Sequence, residues 1–325
     1  MIGLGGAVLL ALGIGGAIQF HDFIEAETLL HDVVDEIRLG RGSLAAFDAA
    51  WEKNPSRSDA IISLTTIPSR LPVIGLTLKS LMRQSLAPAR IVLNLPRFSR
   101  RENVAYELPA DLSRLRSLEV RWCEDLGPAT KLLPSLAQEA ADTRIIVVDD
   151  DRVYPPNLVA DLVQASDAEP ARAFSMRGWV VPPDLTDREM TFWRKFGSGP
   201  PMPVRARRIS KPEPVDIVMG VAGYLVKPSF FDLGGVFDYD GAPREAFYVD
   251  DVWISAHLKV PRVVLPARHV SYQSKYLRSI YERTALASIN RGPGPDTLRN
   301  NTIVIRHFAP NWMMASAGRR GNPAG

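Results

Sequence analysis

Ile145-Ile146-Val147-Val148-Asp149-Asp150-Asp151 is the stretch on which the fold turns. Four β-branched apolar residues in a row leave no face for water, so they suit a strand covered on both sides. Three carboxylates follow at once and cannot share that interior, so the strand must end at a reachable edge. Strands of this kind belong to mostly parallel sheets flanked by helices, where ligands bind beyond the strands' carboxyl ends. The same alternation recurs outward from here. Residues 60–64, 90–95 and 118–122 read as strands, and 71–84, 128–141 and 156–164 as helices. Further on, 217–226, with Gly220 and Gly223 inside it, reads as strand plus a close-approach turn. Residues 251–258 read as a helix and 263–265 as a last short strand, while 176–214 read as long loops with at most a short hairpin. The expected fold class is α/β: a mixed, mostly parallel sheet flanked by helices, preceded by a hydrophobic N-terminal helix.

Crowded carboxylates repel one another, and each resists ionising unless a cation neutralises them. A hard divalent ion, Mn2+ or Mg2+, suits carboxylate oxygens and keeps positions open for phosphate oxygens. In a chain that stays extended, Asp149 and Asp151 project together and Asp150 the other way, so the pair two apart is the natural ligand set. A solvated acidic turn capping the next helix is the plainer alternative. Asp250-Asp251 opens a later helix, where the dipole alone favours carboxylates. A second acidic site also supplies a base separate from metal ligands, and Asp251 is that candidate. His269, past the last short strand, could complete a metal shell or touch phosphate, although a lone histidine is more often structural. Lys131, in Gly127-Pro128-Ala129-Thr130-Lys131, opposes the dipole at a helix start and so asks for an anionic partner. Arg70, ending Thr65-Thr66-Ile67-Pro68-Ser69-Arg70, invites the same argument.

The 325 residues are 46% hydrophobic and 23% charged, enough chain for one large α/β domain or two small ones. The net charge of +3 is not gathered into a long basic stripe, which argues against nucleic acid as a partner. Arg205, Arg207, Arg208 and Lys211 form a local cluster, read either as a solvated loop or as a grip on a diphosphate or an anionic acceptor. A single cysteine, Cys123, precludes an intrachain disulfide and suits a reducing compartment. Residues 2–20 are uncharged but diluted by glycine, and acidic residues follow them. They read as a membrane anchor, as a membrane-lying or oligomer-packing helix, or as the product of a start codon placed too far upstream; the anchor is preferred. The expected organisation is 1–20 hydrophobic segment, 21–57 acidic helical lead-in, 58–285 main domain, and 286–325 extension with a disordered end.

With these motifs in place, the chain resembles nucleotide-diphospho-sugar transferases of the GT-A type, close to glycosyltransferase family 2. The segments that carry the resemblance are 63–70, 125–131, 147–151, Asp250-Asp251 and His269, in family order across about residues 58–275. The resemblance implies a Rossmann-like GT-A sheet in a metal-dependent glycosyltransferase, with a nucleotide-sugar donor, most simply UDP-linked, and a carbohydrate or lipid-linked acceptor. It implies that Thr65, Thr66, Arg70 and Lys131 contact the donor with Asp149 and Asp150, and that Asp151, Asp149 and His269 hold Mn2+ or Mg2+. Asp250 and Asp251 correspond to the catalytic acidic pair, with Asp in first place where Glu is commoner. A cytosolic donor pool would put the domain in the cytoplasm. Trp179, Trp193 and Trp253 could stack on sugar faces, although packing is the commoner role. Two rivals stand beside this reading. Asp149 and Asp151 also fit the nucleophile motif of haloacid-dehalogenase-like phosphohydrolases, although that motif normally ends a domain's first strand. A catalytically inactive nucleotide-sugar binding protein is the other.

Overall fold

A computed structural model describes residues 4–25, 27–191, 193, 202–292 and 294–312. Its strands are β1 (Ile61–Leu64), β2 (Ile91–Pro96), β3 (Phe98–Ser99), β4 (Val104–Ala105), β5 (Leu118–Cys123), β6 (Ile145–Val147), β7 (Ala173–Ser175), β8 (Arg177–Trp179), β9 (Val204–Arg205), β10 (Glu213–Pro214), β11 (Ile217–Val218), β12 (Tyr224–Val226) and β13 (Arg262–Val264). The main sheet runs β10-β13-β7-β12-β6-β1-β2-β5. Strands β6, β1, β2 and β5 are mutually parallel, as are β7 and β13, while β12 lies antiparallel between β6 and β7. This is the mixed, mostly parallel sheet that the 145–151 stretch predicts. Ile145 to Val148 are fully buried, each stabilising the fold by about 1.5–3 kcal/mol. The strand end that carries the aspartates is therefore rigidly held. A smaller sheet, β11-β8-β9, packs beside it; within 176–214 its antiparallel pair β8–β9 is joined by a long connection, not by the turn of a short hairpin.

The helices are α1 (Leu4–Glu25), α2 (Leu29–Arg41), α3 (Leu44–Glu52), α4 (Gly75–Met82), α5 (Leu133–Gln138), α6 (Leu158–Ala168), α7 (Leu233–Phe237), α8 (Asp250–His257), α9 (Arg278–Arg283), α10 (Leu286–Arg291) and α11 (Asn300–His307). The helix expected over 128–141 is divided: a 3-10 segment, Gly127–Lys131, precedes α5. Pro134 supplies no N–H to continue the ladder back to Thr130, so the tighter turn stands apart from the helix. A 3-10 turn at Leu71–Val73 likewise precedes α4, with Pro72 inside it.

The lead-in helices dock largely through acidic residues. The apolar residues Phe23, Leu30, Val34 and Ile37 are exposed, whereas Asp32, Asp35 and Glu36 are buried. The acidic side of α2 is what docks. Asp35 accepts from Arg83 at 2.5 Å, Glu36 from the Lys275 amide at 3.0 Å, and Asp48 of α3 from the Ser117 amide at 2.8 Å. Paired and hydrogen-bonded carboxylates tolerate burial that lone ones would not.

No helix among the described residues is long and apolar enough to cross a membrane. The anchor preferred for residues 2–20 is thus not supported: glycines occupy positions that a spanning helix would fill with larger apolar side chains. The arginine cluster meets the end of this same helix. Arg208 donates to the Ile24 carbonyl at 2.9 Å, Arg207 to Asp22 at 3.3 Å and Arg205 to Glu25 at 2.5 Å, where unsatisfied carbonyls and the negative dipole end attract cations. Residues 2–3 and the tail from 313, including the end expected to be disordered, lie outside the described residues.

Candidate active site

Beyond the carboxyl ends of β1, β2, β5 and β6 lies a cleft of about 450 Å3. Thr65, Thr66 and Arg70 line it from the β1 side, Lys131 from the 3-10 segment, Asp149 to Asp151 from β6, and Asp250 and Asp251 from α8. All of these come from segments singled out in the sequence. They do not group as an extended chain would group them. The strand stops at Val147 and Asp150 and Asp151 enter a turn, so Asp149 and Asp151 are not a simple two-apart pair.

Two ionic clusters result. In the first, the buried Lys131 ammonium lies 2.7 Å from Asp149, 2.7 Å from Asp250 and 3.5 Å from Asp251. Burial alone would lower the lysine, but these three carboxylates outweigh it and hold it well above its ordinary value. Lys131 is therefore a fixed cation joining the strand-end acid to the helix-start pair. In the second, Arg70 bonds Asp150 at 2.9 Å and lies 3.3 Å from Asp151, while Thr66 also donates to Asp150. The rest of the Arg70 fork donates to Thr284 Oγ1 at 2.7 Å and to the Thr284 carbonyl at 3.0 Å. Thr65 donates to the Asn94 carbonyl at 2.7 Å, which fixes the turn after β1.

Five carboxylates thus face two cations, and the imbalance shows in the acids. Burial, then Asp150 and Asp149, raise the Asp151 carboxyl to about 6, against the pull of Arg70. Burial raises Asp251 to about 7 although Lys131 opposes it; Asp250 and Asp149 add to the rise, and the Gly220 amide donates to it at 3.1 Å. A carboxyl near neutrality suits proton acceptance. Gly220 leaves room for the contact between Lys131 and Asp149, because a Cβ there would displace Lys131 Nζ and stand 2.8 Å from Asp149 Oδ1.

Not every candidate joins this cluster. His269 stacks on His31, with ring centroids 4.3 Å apart, and is not among the residues lining the cleft. Among the described residues no three His, Cys, Asp or Glu side chains converge as a metal shell, so Asp149, Asp151 and His269 are not brought together as one. The oxygen donors Asp149 and Asp151 still suit a hard cation, and the excess of carboxylates is what such an ion relieves. Trp253 is core, stacked on Tyr239 at 4.1 Å, and Trp193 is exposed, whereas Trp179 lines the cleft. Sequence reading missed the far wall: Arg101, Asn290, Arg291, Arg299 and Asn301 also line it, the last four from α10, α11 and their surroundings. No local motif marks these residues; long-range contacts bring them in, among them the hydrogen bonds of Arg70 and Arg101 to Thr284 and of Asn290 to Tyr248, and the burial of Val304 and Ile305 of α11 in the core.

No family model and no curated protein matches the chain. Solved structures similar in chain path include residues 1–349 of S. aureus TarS (14% identity, 81% of this chain and 73% of that one, TM-score 0.41). Another is the mannosyltransferase PcManGT from Pyrobaculum calidifontis in complex with GDP-Man and Mn2+ (15% identity, 93% and 87%, TM-score 0.41). A 4-diphosphocytidyl-2C-methyl-D-erythritol synthase is also similar (12% identity, 69% and 97%, TM-score 0.40).

Proposed function

We propose that this protein transfers a sugar from a nucleotide-diphosphate sugar, UDP-linked in the simplest case, to a hydroxyl of a carbohydrate or lipid-linked acceptor. The observation that carries the reading is the Lys131 junction, which joins a strand-end aspartate to a helix-start acidic pair on one cleft. Asp251, with its carboxyl near 7, takes the acceptor proton as the acceptor oxygen bonds to the anomeric carbon. The bond from that carbon to the diphosphate breaks, and the nucleoside diphosphate leaves with the electron pair. Displacement assisted by one base inverts the anomeric centre. Lys131 keeps Asp250 and Asp149 in place and tempers the charge beside the base. Thr65 and Thr66 border the donor's nucleotide. Arg70 is committed to Asp150 and Asp151, so its role is to position the triplet.

Asp149 and Asp151 would hold Mn2+ or Mg2+, with remaining positions left to the donor's phosphate oxygens. Such an ion, when bound, offsets charge on the departing diphosphate. The phosphohydrolase alternative needs a free nucleophilic aspartate, whereas Asp149 is held by Lys131 and its strand follows β1, β2 and β5 in the same sheet. Calorimetric titration with UDP, with and without Mn2+, tests the proposal. Binding strengthened by Mn2+ is expected, followed by donor-specific hydrolysis across a panel of nucleotide sugars. Well-folded protein that binds no nucleotide in either condition overturns it. Mg2+-dependent turnover of p-nitrophenyl phosphate that is lost in Asp149→Asn would replace it with the phosphohydrolase.

A further inference from the structure

Arg177 on β8 makes no side-chain hydrogen bond or ion pair among the described residues, and its Nε is sealed from solvent without a partner. Its register partner across the β8–β9 ladder is Arg205, so two like charges face one another on adjacent strands. The Nε atoms of Arg205 and Arg152 are sealed and unpartnered in the same way. Among the described residues each of those two hydrogen-bonds only backbone carbonyls: Arg152 that of Ser271 at 3.3 Å, and Arg205 those of Glu25 and Ile24. Burial, then Arg205 and Arg152, push the Arg177 guanidinium down to about 9, which leaves it a cation at neutral pH. The carboxylates within electrostatic range, Asp251 and Glu27, are engaged elsewhere. Glu27 pairs with Lys275 at 2.9 Å, and Asp251 accepts from Gly220 beside Lys131.

A sheltered cation without a counter-ion of its own is strongly unfavourable, and beside Arg177 the charges of Arg205 and Arg152 are offset only in part, by Glu25 and Glu27 and by Asp151. Guanidinium forks match the oxygens of a phosphoryl group two at a time. We propose that Arg152, Arg177 and Arg205 form a binding site for a phosphoryl group, and that the acceptor carries this group. The second half rests on the sugar-transfer reading and on a short structural link. The Arg177 carbonyl accepts from Met219 N at 3.1 Å, and the next amide, that of Gly220, donates to Asp251. An anion held at Arg177 is thus tied through two consecutive residues to the proposed base.

The test uses the full chain in thermal melts with inorganic phosphate, against chloride at equal ionic strength. Wild type is expected to gain stability from phosphate beyond the chloride effect. Arg177→Met removes the uncompensated charge while keeping bulk, so it should melt higher than wild type without phosphate and bind phosphate at least about tenfold more weakly. Arg101→Ala, in the main cleft, should keep the phosphate effect. The site is refuted by a wild type indifferent to phosphate, by an undiminished effect in Arg177→Met, or by a lower melting temperature for that variant in phosphate-free buffer. An effect lost in Arg101→Ala but kept in Arg177→Met places the anion in the cleft and also refutes it. Transfer to phosphorylated and unphosphorylated forms of one acceptor separates the two halves. Preference for the phosphorylated form supports the acceptor assignment, and equal transfer overturns it. Transfer to neither, with phosphate binding intact, counts against the sugar-transfer reading and leaves the anion site standing.

Discussion

Asp251→Asn replaces the proposed base with a neutral group of the same shape, and it should make the protein both inactive and sturdier. Asp251 stands at about 7, against 3.8 for an unperturbed aspartate, with burial the largest cause. Its ionised form is therefore about 4 kcal/mol costlier in the fold than in the open chain. The side chain keeps 24% of its surface, and water reduces the penalty to about 2 kcal/mol. A raised carboxyl contributes stability that is fully present below 3.8 and is lost as pH climbs through about 7. Wild type should thus weaken between about pH 4 and pH 7 on account of this group, and Asp251→Asn should not. Urea unfolding at pH 8 is expected to favour the variant by about 2 kcal/mol, and the gap should close near pH 4. Lys131 retains Asp149 and Asp250, each at 2.7 Å, so the exchange leaves no orphaned cation. Sugar transfer at pH 8 should fall by about 10²–10⁴-fold, the range for loss of a general base. A variant less stable than wild type at pH 8 refutes the charge argument, and one that transfers sugar within tenfold of it refutes the role of Asp251 as base.

Three further outcomes follow from the same geometry. Lys131→Met removes the cation shared by the buried Asp250 and the partly exposed Asp149 and should cost about 3–5 kcal/mol in urea unfolding at pH 8. Gly220→Ala drives a methyl into the contact between Lys131 and Asp149; transfer should drop more than tenfold while stability falls by about 1–3 kcal/mol, read by paired kinetics and melts. His269→Ala removes one member of a stacked pair outside the cleft, so Mn2+-dependent nucleotide binding measured by calorimetry should stay within about twofold of wild type; a larger loss would return His269 to the metal.

The strand-end triplet and the acidic pair were legible because each couples a local pattern to a chemical misfit: carboxylates pressed against apolar sequence must have a reason. Strand–helix alternation was legible for the same local cause, since two-sided apolar runs report burial directly. Partner choice was not. Nothing in 145–151 indicates that the chain turns at Asp150, so that Arg70 collects Asp150 and Asp151 while Asp149 passes to Lys131. Lys131 was rightly marked as needing an anion, but its anions come from this chain. The docking face of α2 was not legible, because an acidic helical segment does not say which side packs; here an ion pair with Arg83 and hydrogen bonds from Ser274 and the Lys275 amide decide. The far wall was unreadable for a plainer reason: Arg70 and Thr284 are separated by 214 positions, and no local rule spans that distance.

That last contact has a practical side. One guanidinium restrains the aspartate turn with part of its fork and holds the Thr284 end of α9 with the rest. The wall behind the cleft and the acids in front of it are therefore coupled through one side chain, with Arg101 bracing the same Thr284 carbonyl. Shortening the chain to end before Thr284 would do more than open the pocket. It would remove the Thr284 partners of Arg70 while leaving Asp150 and Asp151 beside it, so the shortened chain should hold its aspartate turn less rigidly as well as leave the cleft more open.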